Sequence, residues 1–162
     1  MQPLLISDAN VLIDIEFGDF TSSIFLLPYD ITVPDVLFEQ EMKERHSQLL
    51  DLGLKVKSLT AEAVQQVHQL IAKHSQPSVL DHFALALALQ EKCPLLTGDK
   101  ALARAARSEN VEVHGTLWLI ERLLDAGRIN SHQAKQGFEN MKTMKSRLPW
   151  GDVETMLARY PS

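Results

Sequence analysis

Four carboxylates are spaced along this 162-residue chain in a way that suits one metal-dependent site. Asp8 and Asp99 each stand at the end of a short run that has the pattern of a β-strand. Glu39 lies about one turn into the helix that follows the second such run, and Asp81 lies in the first turn of a helix that is apolar on every face. Clustered carboxylates repel one another, and a divalent cation relieves that repulsion; all-oxygen ligands suit Mg²⁺ or Mn²⁺. Sites of this kind hydrolyse phosphodiester bonds.

The segments that would position these acids alternate between strand and helix. Short apolar or alternating runs predict five strands, at residues 4–6, 31–33, 55–59, 94–97 and 111–114. Segments with helical spacing separate them, among them a single helix from Pro34 to about Ser47. Parallel strands need crossover connections, and helices must cover their apolar faces. The sequence therefore predicts a three-layer α/β fold, with a five-stranded, mainly parallel sheet and helices on both faces.

The length of the chain is enough for one well-buried core and too short for two ordinary domains. We expect a single domain over residues 1–162, in which residues 128–162 form a C-terminal helical extension packed on the same core. The apolar runs fall short of the roughly 20 residues that cross a bilayer, and the N-terminus lacks a signal-peptide pattern. These features lead us to expect a soluble cytoplasmic protein with no membrane contact.

Charge and cysteine content exclude several classes of protein. The formal charge of −5 argues against a broad hold on nucleic acid through a basic surface, so a nuclease of this composition needs bound divalent cations to supply positive charge locally. Cys93 is the only cysteine, which excludes an internal disulfide and a cysteine-based zinc site. The sequence has no glycine-rich phosphate loop and no pair of histidines at i, i+4.

The two strand-end aspartates are the strongest part of the pattern. In an open parallel sheet, the functional crevice lies beyond the carboxyl ends of the strands, where the strand order reverses. If the first and fourth strands are central neighbours, the side chains of Asp8 and Asp99 project into that crevice although they are 91 positions apart. Glu39 and Asp81 start from the adjoining helices and can reach the same rim.

Each acid also has a purely structural interpretation. Asp8 and Asp99 can cap the helices that follow them, and Asp81 can be the acidic member of a capping box after Ser78. Glu39 can be one of several solvent-exposed acids. Taken singly, the structural interpretation is favoured for each residue. Their joint occurrence, with two acids at strand ends and two on intervening helices, favours a common site.

At these residues the chain resembles the PIN-domain family. The matching stretches are residues 5–13, 33–39, 80–89, 95–99 and 111–117. The resemblance implies a five-stranded parallel sheet in the order 3-2-1-4-5 and a Mg²⁺- or Mn²⁺-dependent ribonuclease, often the toxin of a toxin–antitoxin module. It also implies a homodimer and a small antitoxin protein as partner.

The resemblance assigns roles to individual residues. It implies that Asp8, Asp81 and Asp99 bind the metal and that Glu39 joins them in the catalytic set, while a slip of one register would give that place to Glu41. It also implies that Asn10 and Thr97 are polar residues that support the site. Residues 100–103 supply no further acid, which leaves open whether one or two metal ions bind.

Two cationic side chains on the helix after Asp99 are candidates for substrate binding. Lys100 and Arg104 share a helical stripe with Arg107, and this stripe can hold phosphates near the metal. A solvated basic face is the structural alternative for all but Lys100.

Two other functions fit parts of the pattern. A haloacid-dehalogenase-like phosphatase would use Asp8 as its nucleophile, but Asn10 replaces its expected general acid and Ala103 replaces an expected metal-binding aspartate. A non-catalytic PIN-like module that binds RNA or protein is the alternative from a different class. The four intact acids argue against it.

Overall fold

The computed structural model describes residues 2–161, and its centre is one parallel β-sheet. The strands are β1 (Leu4–Ser7), β2 (Asp30–Pro34), β3 (Lys55–Lys57), β4 (Leu95–Leu96) and β5 (Val113–His114). They are hydrogen-bonded in the order β3-β2-β1-β4-β5, and every neighbouring pair is parallel. The predicted fold class and strand order are therefore confirmed. The strand order reverses between β1 and β4, which is where Asp8 and Asp99 follow.

Helices connect and cover the strands. They are α1 (Ala9–Phe17), α2 (Thr21–Ile24), α3 (Asp35–Leu37), α4 (Gln48–Leu52), α5 (Ala61–Lys73), α6 (Val79–Glu91), α7 (Lys100–Ser108), α8 (Thr116–Asp125), α9 (Ser131–Thr143) and α10 (Trp150–Ala158). A π-helical turn, Phe38–Met42, continues α3. The single helix predicted from Pro34 to about Ser47 is therefore wrong in detail, because the chain changes helical type at Phe38 and the helical segment ends at Met42.

Alternation along the short strands divides the core between the two faces of the sheet. Leu5 of β1 and Leu96 of β4 belong to the cluster that contains α1, α8, α9 and α10. Their strand neighbours Ile6 and Leu95 belong to the opposite cluster, with α5, α6 and α7. Successive side chains of a strand point to opposite faces, so two-sided burial makes these strands apolar throughout. The result is the predicted three-layer arrangement.

The helix α6 lies against the sheet at the centre of the second cluster. All five residues from Ala84 to Ala88 are buried, as expected for a helix that is apolar on every face. Its start also buries His82. The His82 ring lies within 2.7 Å of the Ser78 carbonyl oxygen through Nδ1 and within 2.8 Å of the His74 carbonyl oxygen through Nε2.

The C-terminal extension packs into the first cluster. Phe138 and Met141 of α9 and Val153 and Met156 of α10 are buried there. The contact is close at Gly137, where an added Cβ would lie 2.1 Å from the ring of Phe20 and 2.9 Å from a backbone oxygen. Any larger residue at this position would push α9 away from α1.

Candidate active site

Asp8 is fixed at the junction of β1 and β4. Its backbone N–H donates to the Leu96 carbonyl oxygen at 3.0 Å, which extends the pairing of the two strands by one residue. Its Oδ1 accepts from the backbone N–H of Val11 at 3.0 Å and so caps α1. The residue is only 4% exposed. The capping role that the sequence suggested is real, and it holds the carboxylate at the carboxyl edge of the sheet.

Thr97 joins the two strand-end aspartates. Its hydroxyl donates to Asp8 Oδ2 at 2.5 Å and accepts from the backbone N–H of Asp99 at 3.0 Å. Asp99 in turn caps α7, because its Oδ1 accepts from the backbone N–H of Leu102 at 2.8 Å. Asp8, Thr97 and Asp99 are therefore connected at the edge of β1 and β4, through the Thr97 hydroxyl and the Asp99 backbone; that the two carboxylates share one ion stays a prediction.

Asp8 carries its charge in an unfavourable setting. Burial raises the pKa of its carboxyl from the ordinary 3.8 to about 6, although hydrogen bonds from Thr97 and Val11 act in the opposite direction. The negative charges of Asp81 and Asp14 add to the increase. The pKa thus reports both a desolvated carboxylate and two further acids within electrostatic reach of it.

Asp81 reaches this neighbourhood from the start of α6. It completes a capping box with Ser78, in which Asp81 Oδ2 accepts from the Ser78 backbone N–H and the Ser78 hydroxyl accepts from the Asp81 backbone N–H, both at 3.1 Å. The cap uses one carboxylate oxygen, so the other can face a ligand while the cap is kept.

The two candidate glutamates are placed differently. Both side chains are exposed, but the Glu39 carboxylate is paired with Lys43, whose Nζ lies 3.1 Å away. Partial burial, and then the charge of Asp81, raise the pKa of Glu41. The structure thus favours Glu41 over Glu39 as the glutamate beside Asp81. The π-helical turn is the physical reason, because its bond from the Lys43 N–H to the Phe38 carbonyl oxygen spans five residues and rotates the following side chains relative to an α-helix.

Asp14 is an acid near the site that the sequence analysis missed. It lies on α1, and its Oδ1 accepts from the Ser146 hydroxyl at 2.7 Å, while the Thr116 hydroxyl lies 3.5 Å from Oδ2. Burial raises the pKa of Asp14, and hydrogen bonds from Ser146 and Thr116 lower it. The available signal was a carboxylate between Ile13 and Ile15, on a helix that is otherwise largely buried.

The remaining predicted residues lie around this edge. Asn10 is an exposed residue in the first turn of α1, and Lys100 is the exposed first residue of α7. Arg104 is also exposed, and its Nη2 donates to Gln76 Oε1 at 3.0 Å. Their roles in supporting the site or binding substrate stay predictions.

The donor set suits a hard divalent cation, because Asp8, Asp81, Asp99 and Glu41 offer only carboxylate oxygens. Within residues 2–161, however, no group of three or more His, Cys, Asp or Glu side chains is close enough to hold an ion as it stands. Asp81 and Asp99 are turned toward their caps, each with one oxygen. Metal binding would therefore require these side chains to move.

A parallel 3-2-1-4-5 sheet with a buried carboxylate at its switch point defines an α/β domain whose functional crevice is expected at this edge. The chain belongs to the PIN-domain family, whose family model matches residues 4–160. PIN domains are in general nucleases.

Comparison with solved structures gives a PilT N-terminus domain protein from the hyperthermophilic archaeon Sulfolobus solfataricus P2. It is 14% identical, the match covers 72% of this chain and 88% of that one, and the TM-score is 0.49. A search of curated proteins finds no significant match.

In the part of the chain that the structure describes, none of the helices combines the length and the hydrophobicity needed to cross a bilayer.

Proposed function

We propose that this PIN domain is a Mg²⁺- or Mn²⁺-dependent ribonuclease that hydrolyses phosphodiester bonds of RNA. The observation that supports this most strongly is the setting of Asp8, a carboxylate only 4% exposed that neighbours Asp81 and Asp14 and is bonded by Thr97. Like charges brought together without a cation partner destabilise the fold, so a cluster of this kind favours a functional purpose.

Asp8, Asp81 and Asp99 would hold the ion, with Glu41 completing the acidic rim in place of the predicted Glu39. When bound, such an ion supplies positive charge that lowers the pKa of an attacking water and steadies the phosphate. The chain itself orients the ligands. The Thr97 hydroxyl fixes one oxygen of Asp8, and the helix caps fix one oxygen each of Asp81 and Asp99.

Lys100 is the cation best placed to meet the substrate. It directly follows Asp99 and is exposed at the start of α7. An ammonium at this position would attract the RNA phosphate and partly offset the net charge of −5.

The test is cleavage of labelled single-stranded RNA by the purified protein in Mg²⁺ or Mn²⁺. We expect shortened RNA with either ion, intact RNA in EDTA, and a loss of at least about 100-fold in Asp8→Asn, since even residues that only orient metal ligands contribute 10- to 100-fold. Asp8→Asn prepared in parallel also controls for contaminating nucleases. Cys93→Ser, at the opposite edge of the sheet, should cleave within about two-fold of the wild type.

Other outcomes identify the alternatives. RNA that is retained but stays intact across several substrates would favour a non-catalytic binding module and contradict the nuclease. Release of phosphate from small phosphomonoesters would favour the phosphatase, against which membership of the PIN-domain family already argues.

The biological setting belongs to the same proposal. A toxin of a toxin–antitoxin module would act in the cytoplasm as a homodimer and be neutralised by a small antitoxin. Co-expression with the product of the adjacent reading frame, followed by the RNA cleavage assay, tests this. A neighbour that neither binds the protein nor inhibits cleavage would contradict it.

A further inference from the structure

A pocket of about 250 Å³ lies between the segment that joins α5 to α6 and the helix α7. Residues 74–77 form one wall, and Ala101, Arg104 and Ala105 form the other. The pocket borders the acidic edge, because residue 77 directly precedes Ser78, whose N–H binds Asp81, and Ala101 lies two residues after Asp99. A ligand in this pocket would therefore sit next to the helix starts that carry both aspartates.

The wall formed by residues 74–77 is held in place from several sides. The buried His82 ring contacts the carbonyl oxygens of His74, the first residue of the wall, and of Ser78, the residue that follows it. The His74 ring lies 2.8 Å from Glu109 Oε2, which ties it to the chain after α7. Pro77 is buried. A wall fixed in this way loses little conformational entropy when a ligand binds.

Arg104 and Gln76 supply the polar chemistry of the pocket. One guanidinium nitrogen of Arg104 donates to Gln76 Oε1 at 3.0 Å, and this bond orients both side chains across the pocket. The pocket lining also offers the remaining N–H donors of Arg104, the Gln76 amide and the Ser75 hydroxyl, which can both donate and accept. A phosphate needs donors alone, whereas the edge of a nucleobase presents both donors and acceptors.

The distance to the acids also fits a neighbouring nucleotide. Arg104 comes five residues after Asp99, which at the α-helical rise corresponds to about 7.5 Å along α7. An RNA strand whose phosphate lay at the acids would therefore bring a neighbouring nucleotide to the mouth of the pocket.

We propose that this pocket accepts one unpaired base of the RNA, adjacent to the cleaved bond, and gives the enzyme a base preference at that position. The inference rests on the proposed ribonuclease function. Single-stranded RNA is read mainly through the edges of splayed bases, and arginine and glutamine are side chains suited to that reading.

The experiment uses single-stranded RNA oligonucleotides that carry each of the four bases at each position in turn. Cleavage positions are mapped with the wild-type chain, and binding is measured by fluorescence anisotropy with Asp8→Asn. We expect one position at which one base is favoured by about ten-fold or more. Gln76→Ala and Arg104→Gln should reduce that preference to about two-fold.

Arg107→Gln is the matched control, because it removes one positive charge from the same helix without touching the pocket. It should weaken binding of all sequences by a similar factor and leave the base preference unchanged. Equal loss for all sequences in Arg104→Gln as well would assign Arg104 to a phosphate and overturn the base pocket, as would a wild type without base preference.

The inference and the function fail separately. If the wild type cleaves without preference, the base pocket is wrong and the nuclease stands. If the wild type cleaves nothing, the nuclease is wrong, and binding of the four oligonucleotide sets still decides whether the pocket selects a base.

Discussion

The two edges of the sheet present opposite combinations of cavity and charge. The amino edge has the larger cavity, about 400 Å³, between the end of α6 and the starts of β4 and β5. The carboxyl edge has the smaller pocket beside α7 and the cluster of acids. Judged by volume alone, a functional site would be assigned to the amino edge and not to the carboxyl edge that carries the acids.

The two edges also differ in the charge state of their buried titratable groups. Burial, and then the charge of Glu91, raise the pKa of the Cys93 thiol at the amino edge to about 11, so this thiol is neutral and unreactive near pH 7. The Asp8 carboxyl at the carboxyl edge has a pKa of about 6 and is mostly ionised near pH 7 in spite of its burial. An edge that keeps a charge under unfavourable conditions is the better indicator of function.

The largest effect that we predict from this difference between the edges is a gain in folding stability when the charge of Asp8 is removed. Because the folded pKa of Asp8 lies above 3.8, its contribution to stability is lost as pH rises from about 4 to about 6. Full loss corresponds to about 3 kcal/mol. Asp8→Asn in EDTA should therefore be about 1–3 kcal/mol more stable than the wild type at pH 7.5 and equal to it at pH 4. Chemical denaturation at both pH values measures this, and a variant less stable at pH 7.5 would contradict the assignment.

The second prediction separates the two glutamates. Glu41→Gln should lower the cleavage rate by about ten-fold, because it removes an acid beside Asp81. Losses of about this size are found when residues that surround metal ligands are replaced. Glu39→Gln should change the cleavage rate by less than about two-fold, since that side chain is paired with Lys43 rather than placed beside Asp81. Initial cleavage rates of both variants at saturating Mn²⁺ test the register. The reverse ranking would restore the α-helical register predicted from the sequence.

A smaller effect is expected when the Thr97 hydroxyl, which connects Asp8 with the backbone of Asp99, is removed. Thr97→Val keeps the shape but removes the bonds to Asp8 and to the Asp99 N–H, which should lower stability by about 1–3 kcal/mol at neutral pH. Loss of this donor also raises the Asp8 pKa further. Thermal unfolding and the pH dependence of cleavage measure the two consequences. The acid limb of the cleavage profile should move to higher pH, and an unmoved limb would mean that Thr97 has no effect on Asp8.

The smallest expected effect is on folding when Asp99 is replaced. Asp99→Asn keeps an oxygen for the Leu102 N–H, so stability should stay within about 0.5 kcal/mol of the wild type. Cleavage should be lost nonetheless. A large loss of stability would instead favour a purely structural role for this residue.

The sequence was sufficient for a mainly parallel sheet and for Asp8 and Asp99 at strand ends, because both follow from local patterns and from the packing rules of parallel sheets, whereas the strand order came from the resemblance to the PIN-domain family. It was insufficient for Glu41, since the π-helical turn at Phe38–Met42 changes the register within one turn. It was also insufficient for Asp14, whose partner Ser146 lies 132 positions away. The burial of His82 depends on two backbone carbonyls that only the folded α5–α6 connection brings together.

Because of the hydrogen bond between Ser146 and Asp14, the acidic edge is completed only late in the synthesis of the domain. Protein chains fold from the N-terminus as they emerge, and the sheet and all four predicted acids precede α9. The hydroxyl that stabilises the Asp14 carboxylate, a neighbour of Asp8, belongs to Ser146 and is made only after α9. A nascent chain that has not reached Ser146 therefore holds the same carboxylates with one stabilising hydrogen bond fewer, and the electrostatics of its site differ from those of the folded domain.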